Sequence, residues 1–277
     1  MKATPIITLT FMLATINGFS STALAVDPET DRHQIIDFFK AKNPNIPIET
    51  YINGAYIYDA DKYSQWQAAE EFPPYLDGID AGELAWNQDK TVYQECFGSD
   101  ITKIRVKYPY FNEDTQQVIT LESAINQCRT NAGLKALKWK KGTLAQISAY
   151  LAYNARGQVI NVKIESEGAR KAYEAGRNFF LQPRGQLGLS CAKCHTYNSG
   201  RKARSNILSS NIGHTSHFPV FRAKWQNIGT LHRRYAGCNK NMRVKPQKAQ
   251  SETYRNLEFF QAYISNGLEI NGPGYRE

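Results

Sequence analysis

The sequence predicts a mainly α-helical protein built from two related tandem domains with long loops. Three observations carry this. Apolar residues recur at helical spacing in several segments, strand-like alternation is scarce, and the chain repeats itself in order. The 277 residues, 42% of them hydrophobic, are enough for two domains with packed cores. The formal net charge of +9 favours an anionic partner or substrate. No helix-turn-helix or RNA-binding signature accompanies that charge, so nucleic acid is not expected as a partner.

From the N-terminus, Lys2 precedes an apolar run from Ile6 to Ile16, and Ser20-Ser21-Thr22-Ala23-Leu24-Ala25 follows. This is the form of a secretory signal peptide over residues 1–25, with Val26 starting the mature chain. The run is too short to span a bilayer, and no later segment approaches 18 consecutive apolar residues. The expected protein is exported, has no membrane span, and resides in a periplasm. Residues 26–78 read as an N-terminal extension that packs on the first domain. The two domains are expected over 79–160 and 161–277, with the polar stretch 152–166 as their boundary.

Helices are expected over 120–126 leading to Cys128, over 144–151, and over 167–180 leading to Cys191. Another is expected over 251–264, where Leu257, Phe260 and Ile264 are spaced three and four apart. The repeat is visible in matching landmarks. Tyr108-Pro109-Tyr110-Phe111 resembles Phe218-Pro219-Val220-Phe221, and a cysteine follows each phenylalanine by seventeen residues, Cys128 and Cys238. Thr120-Leu121 and Thr230-Leu231 each start eight residues before that cysteine. Leu144 to Tyr150 resembles Leu257 to Tyr263, and Gly82 and Gly176 stand upstream of Cys96 and Cys191.

The chemistry is concentrated in Cys191-Ala192-Lys193-Cys194-His195. Two thiols three residues apart with a histidine directly after is the spacing that attaches a c-type haem. The sulfurs form thioethers to the porphyrin, and the histidine ligates the iron from one face. The second half therefore reads as a cytochrome c-like domain with one covalent haem c. The first half, with Cys96 alone at the matching place, reads as such a domain without haem. Cys96 and Cys128 can pair in an oxidising compartment, and Cys238 is then left over.

The ligand opposite His195 is open from these residues alone. Candidates are Met242, His33, His214, His217, His232 and Cys238. Arg233, Arg234, Lys240, Arg243 and Lys245 crowd around Cys238, and nearby cations favour the thiolate that ligates metal or attacks sulfur. A solvated basic loop is the plain alternative.

The stretch Arg233-Arg234-Tyr235-Ala236-Gly237-Cys238-Asn239, downstream of the haem motif, resembles the SoxA family. These are cytochrome subunits of the SoxAX complexes of bacterial thiosulfate oxidation. The resemblance covers essentially the whole mature chain. It implies an L-cysteine S-thiosulfotransferase that oxidatively joins thiosulfate to a cysteine of the carrier protein SoxYZ. It also implies a SoxX-like cytochrome c partner subunit and a downstream cytochrome c acceptor. By the same resemblance Cys238 ligates the haem and can carry an extra sulfur. Arg234 binds the anionic substrate, and Met242 is a bystander. Because thiosulfate is a dianion, Arg233 or Arg243 can add a further guanidinium clamp on its oxygens. The lack of a second haem motif matches the single-haem variety, in which a disulfide occupies that place. The competing expectation is a plain periplasmic monohaem electron carrier.

Overall fold

The structure is a computed structural model that describes residues 27–277. The expected signal peptide lies outside the described residues. The described chain is mainly helical, as expected. Asp27 accepts a hydrogen bond from the backbone N–H of Thr30 at 2.9 Å and caps α1 (Pro28–Lys42). Pro28 sits in the first turn, where a missing N–H costs nothing. Then follow α2 (Ala60–Glu71), α3 (Leu76–Gln88) and α4 (Lys90–Phe97). A hairpin of β1 (Tyr110–Asn112) and β2 (Gln117–Ile119) leads into α5 (Leu121–Asn131), α6 (Thr143–Asn154) and α7 (Glu167–Leu181). A π-helical turn spans Lys193–Tyr197, and β3 (Lys202–Ala203) pairs with β4 (Asn206–Ile207). The last elements are β5 (Val220–Arg222), β6 (Asn227–Gly229), α8 (Leu231–Asn241), α9 (Glu252–Tyr263) and β7 (Gly274–Arg276). In the final sheet β5 is central, antiparallel to β6 and parallel to β7.

The repeat has a fixed step. β1 and β5, β2 and β6, and α5 and α8 each begin 110 residues apart. Gln116 and Gln226 share a left-handed backbone with φ of 51°. Gly82 of α3 approaches α6 so closely that a Cβ would overlap the Gln146 carbonyl; Gly176 of α7 meets the Asn256 carbonyl of α9 in the same way. Gln146 and Asn256 are also 110 apart, whereas Leu144 and Leu257, matched by sequence, are 113 apart. Three residues is nearly one helical turn, so the sequence match kept the correct helix face but slid its register.

The two cores exchange hairpins. Val118 of β2 is buried with Tyr173, Phe180 and Phe260, and Phe111 packs beside it. Ile228 of β6 is buried with Trp86, Tyr93, Ile125 and Leu144, and Phe221 packs there. The helix starts are tied reciprocally too. Thr120 Oγ1 donates to Gln250 Oε1 at 2.9 Å, and Thr230 Oγ1 donates to the Trp139 carbonyl at 3.2 Å. An isolated two-stranded hairpin is marginal in water, and each finds its apolar cover on the other half's helices. Cutting the sequence at 160 and 161 therefore separates each core from one of its hairpins, and residue 78 falls within α3.

Cys96 of α4 and Cys128 of α5 form a disulfide with Cα atoms 6.1 Å apart. Closing its 32-residue separation is worth roughly 3 to 4 kcal/mol on a chain-entropy account.

The N-terminal segment corrects one expectation. It packs chiefly on the second half, not the first. Buried Asp31 accepts from the Tyr173 hydroxyl and from Arg177 Nε, both at 2.7 Å. Phe39 and Tyr51 share a core with Ile212 and Leu268. The reason is chemical: a buried carboxylate needs a cation, and α7 supplies Arg177.

Candidate active site around Cys238

The site is assembled from α8, the stretch 191–217, and the paired strands β5 and β7. Cys238 sits on α8, so the plain reading of a basic loop is replaced by a helix. Arg234 lies four residues earlier and thus on the same helix face. Ser190 Oγ accepts from the Lys193 N–H at 3.0 Å and starts the turn that carries Cys194 and His195.

Cys191, Cys194 and Cys238 are all free thiols. Each of Cys191 and Cys194 feels the charge of Cys238, so the three sulfurs are neighbours. Burial pushes the Cys191 thiol up to about 11, although Arg184 Nη2 donates to its sulfur at 3.1 Å and pulls the other way. Cys238 behaves oppositely. Burial alone would raise it, yet Arg234, contact with the His195 side chain and Arg222 together bring it down to about 6. The Cys238 sulfur is therefore the most anionic of the three.

His195 is held in one tautomer. Its Nδ1 lies 2.9 Å from the carbonyl oxygen of Ser209, which can only accept. Nδ1 is therefore the protonated nitrogen, and Nε2 keeps its lone pair for a metal. The Asn211 N–H donates to the His195 carbonyl at 2.8 Å, fixing the backbone as well. From the N-terminal segment, Lys42 Nζ donates to the carbonyls of Thr196, Tyr197 and Ser199 at 3.0 to 3.1 Å, and to Ser199 Oγ at 2.8 Å. That ammonium clamps the turn directly after His195.

Behind His195 runs a buried hydrogen-bond chain that the sequence did not reveal. His214 lies edge-on to the His195 ring, centroids 4.6 Å apart. Gln261 Nε2 donates to His214 Nδ1 at 2.9 Å, so His214 Nε2 carries the proton and donates to Ser209 Oγ at 2.9 Å. The Tyr235 hydroxyl of α8 donates to Gln261 Oε1. The chain joins the helix that carries Cys238 to the carbonyl that orients His195. Burial, then the nearby charge of His195, holds His214 well below the ordinary histidine range, so it is neutral.

The other expected residues separate. Arg243 is exposed, in left-handed backbone beyond α8, and is not among the charges that Cys238 feels most. Arg233 turns away, its guanidinium 4.1 Å from the Trp225 ring. Met242 is buried at the end of α8. His217 is buried, and His232 pairs with buried Glu258 at 3.1 Å. His33 lies beside Glu29 on the surface of α1. The structure adds two cations that sequence reasoning missed, Arg222 of β5 and Arg276 of β7. Both act on this cluster, and neither stands near a cysteine in the sequence.

The donors suit a c-type haem. Two thiols on one turn, an imidazole with a free lone pair and a facing acidic thiol face a core containing Phe180, Tyr254 and Phe260. The fold and these donors define a cytochrome c protein. The SoxA/TsdA cytochrome c domain family matches residues 81–160, the half without a Cys-x-x-Cys-His motif. The chain is 45% identical to the L-cysteine S-thiosulfotransferase subunit SoxA of Chlorobaculum tepidum, over 92% of this chain and 93% of that one. It is 43% identical to the same-named subunit of Allochromatium vinosum, over 96% of this chain and 98% of that one. The crystal structure of SoxXA from Paracoccus pantotrophus contains a chain that superposes with a TM-score of 0.70 at 26% identity. The match covers 77% of this chain and 84% of that one. This chain belongs to the SoxA family.

Proposed function

We propose that the protein is the catalytic cytochrome subunit of an L-cysteine S-thiosulfotransferase, joining thiosulfate oxidatively to a cysteine of a SoxYZ-like carrier. The names of its relatives support this reading. The structural observation that carries it is the Cys238 sulfur, set against His195 and one turn from Arg234.

One haem c would be attached through Cys191 and Cys194 and ligated by His195 and Cys238. When bound, the haem supplies an acceptor for electrons one at a time. Arg234 holds the oxyanion end of thiosulfate and leaves its terminal sulfur toward Cys238. The guanidinium keeps its charge at any working pH. Ser209 keeps the His195 proton on Nδ1, and the Tyr235–Gln261–His214 chain holds Ser209. In the overall reaction a carrier thiol and thiosulfate form one S–S bond, releasing one proton and two electrons. The product is a carrier cysteine bearing an S-thiosulfonate, R–S–S–SO3−, with both thiosulfate sulfurs retained. A haem held by Cys191, Cys194, His195 and Cys238 would supply the acceptor for these two electrons, with a SoxX-like cytochrome c subunit and a downstream cytochrome c as their outlet. The reaction belongs in the periplasm. In this reading residues 79–160 are a haem-less cytochrome c-like domain and 161–277 the haem-bearing one, preceded by the extension 26–78.

Mass spectrometry of the mature protein tests the cofactor part. One haem mass located on the peptide containing Cys191 and Cys194 is expected. Cys238→Met tests the chemistry, since it should abolish thiosulfate–carrier conjugation while haem attachment persists. Conjugation at the wild-type rate in that variant would reduce the protein to a plain electron carrier.

A further inference from the structure

We infer that Arg222 and Arg276 form a guanidinium pair that makes the site at Cys238 selective for doubly charged oxyanions over singly charged ones. The inference rests on reading the site as one for thiosulfate. It names the residues that set its charge specificity.

The pair is imposed by strand register. β5 and β7 run parallel, and Arg222 stands directly beside Arg276. Such neighbours project from the same face of a sheet, about 5 Å apart, and like charges so placed are destabilising. Arg234 approaches from α8, and Arg222 feels the charges of both Arg234 and Arg276. Arg234 and Arg222 thus bear directly on the Cys238 thiol, and Arg276 stands beside them, its charge felt by Arg222 and in turn feeling that of Arg234. Among the described residues, none of the three forms an ion pair with a side-chain carboxylate.

The hydrogen bonds of the pair leave capacity. Arg222 Nη2 donates to the main-chain oxygen of Glu277 at 3.1 Å, and its Nε is buried without a partner. Arg276 donates to the main-chain oxygens of Tyr275 and Asn53, both at 3.0 Å. Aromatic rings hold both guanidiniums in place. Arg276 lies 4.6 Å from the Tyr56 ring centroid and Arg222 lies 5.5 Å from that of Trp225. A repulsive cationic cluster held rigid by strands and rings, with an unsatisfied buried N–H, is built to receive an anion.

The charge of the ligand follows from the reaction. Thiosulfate enters with two negative charges, and the S-thiosulfonate on the carrier leaves with one. A site with surplus positive charge therefore holds the substrate more firmly than the product and aids release of the conjugate.

The test uses the haem-loaded complex with its cytochrome partner. Thiosulfate and, as a monoanionic probe, methanesulfonate are titrated calorimetrically into wild type, Arg222→Gln, Arg276→Gln and Arg276→Lys. Wild type should prefer thiosulfate. Each glutamine variant should lose about tenfold or more in thiosulfate affinity, the scale of one charge-assisted hydrogen bond, with a smaller loss for methanesulfonate. Arg276→Lys should retain most of the preference. Thiosulfate affinity unchanged in both glutamine variants, or equal losses for the two anions, would overturn the inference. Carrier conjugation by wild type is measured in parallel. Its absence would overturn the functional reading, a result distinct from unchanged binding in the variants.

Discussion

Replacing His214 by phenylalanine tests whether the buried chain behind His195 positions that ligand. The substitution keeps a ring of similar size but removes two hydrogen bonds, those to Gln261 Nε2 and to Ser209 Oγ. Both partners stay in a region where His214 is only 9% exposed. Each polar atom left unpaired in such a place costs about 1 to 3 kcal/mol, so the variant should lose about 2 to 6 kcal/mol. Tyr235→Phe leaves only Gln261 Oε1 unpaired and should cost about 1 to 3 kcal/mol. The two act in one chain, so the double variant should lose less than the sum. Urea denaturation of the haem-loaded protein measures the three values. The electron paramagnetic spectrum of each folded variant reports the orientation of His195, which a purely structural loss would leave unchanged. Losses below about 0.5 kcal/mol with unchanged spectra would refute the argument, because that is the range of ordinary surface substitutions.

Two further outcomes follow from the packing. Glu122 is buried, and burial, then the neighbouring Glu258, raises its carboxyl above the usual range, while His232 and Arg105 pull it back. The folded state therefore holds that proton after the unfolded chain has lost it, so stability falls as pH rises above about 4.5. Glu122→Gln should be the more stable protein at neutral pH, with the difference shrinking toward pH 4 in thermal melts; a constant difference across that range would contradict this. Gly176→Ala would place a methyl group into the Asn256 carbonyl of α9. It should cost about 1 to 3 kcal/mol by overpacking despite alanine's better helix propensity. Equal stability for wild type and Gly176→Ala would mean the helices part without strain.

Much of the architecture was legible because its signals are local. Helical spacing around Leu257, Phe260 and Ile264 depends on a few consecutive residues, and α9 forms there. The pairing of Cys96 with Cys128 could be reasoned from an odd cysteine count and a repeat, and the bond forms. Arg234 precedes Cys238 by one helical turn, so chain geometry alone places both on one face once α8 is a helix. Arg243 failed the same logic: it lies past the end of α8, where the chain has turned into left-handed backbone.

The amino-acid order by itself determined the thiol and imidazole set at 191–195, the thiol at 238, the repeat and the family. Each is written in spacings of a few residues or in direct likeness along the chain. Only the tertiary structure decided which half takes which hairpin, where the N-terminal helix docks, and which cations surround Cys238. Arg222 and Arg276 are 54 residues apart in the chain and adjacent only through the β5–β7 register. Lys42 reaches the turn after His195 across more than 150 residues. Such contacts depend on burying apolar surface that is covered only when distant segments meet, and no short-range pattern encodes that choice.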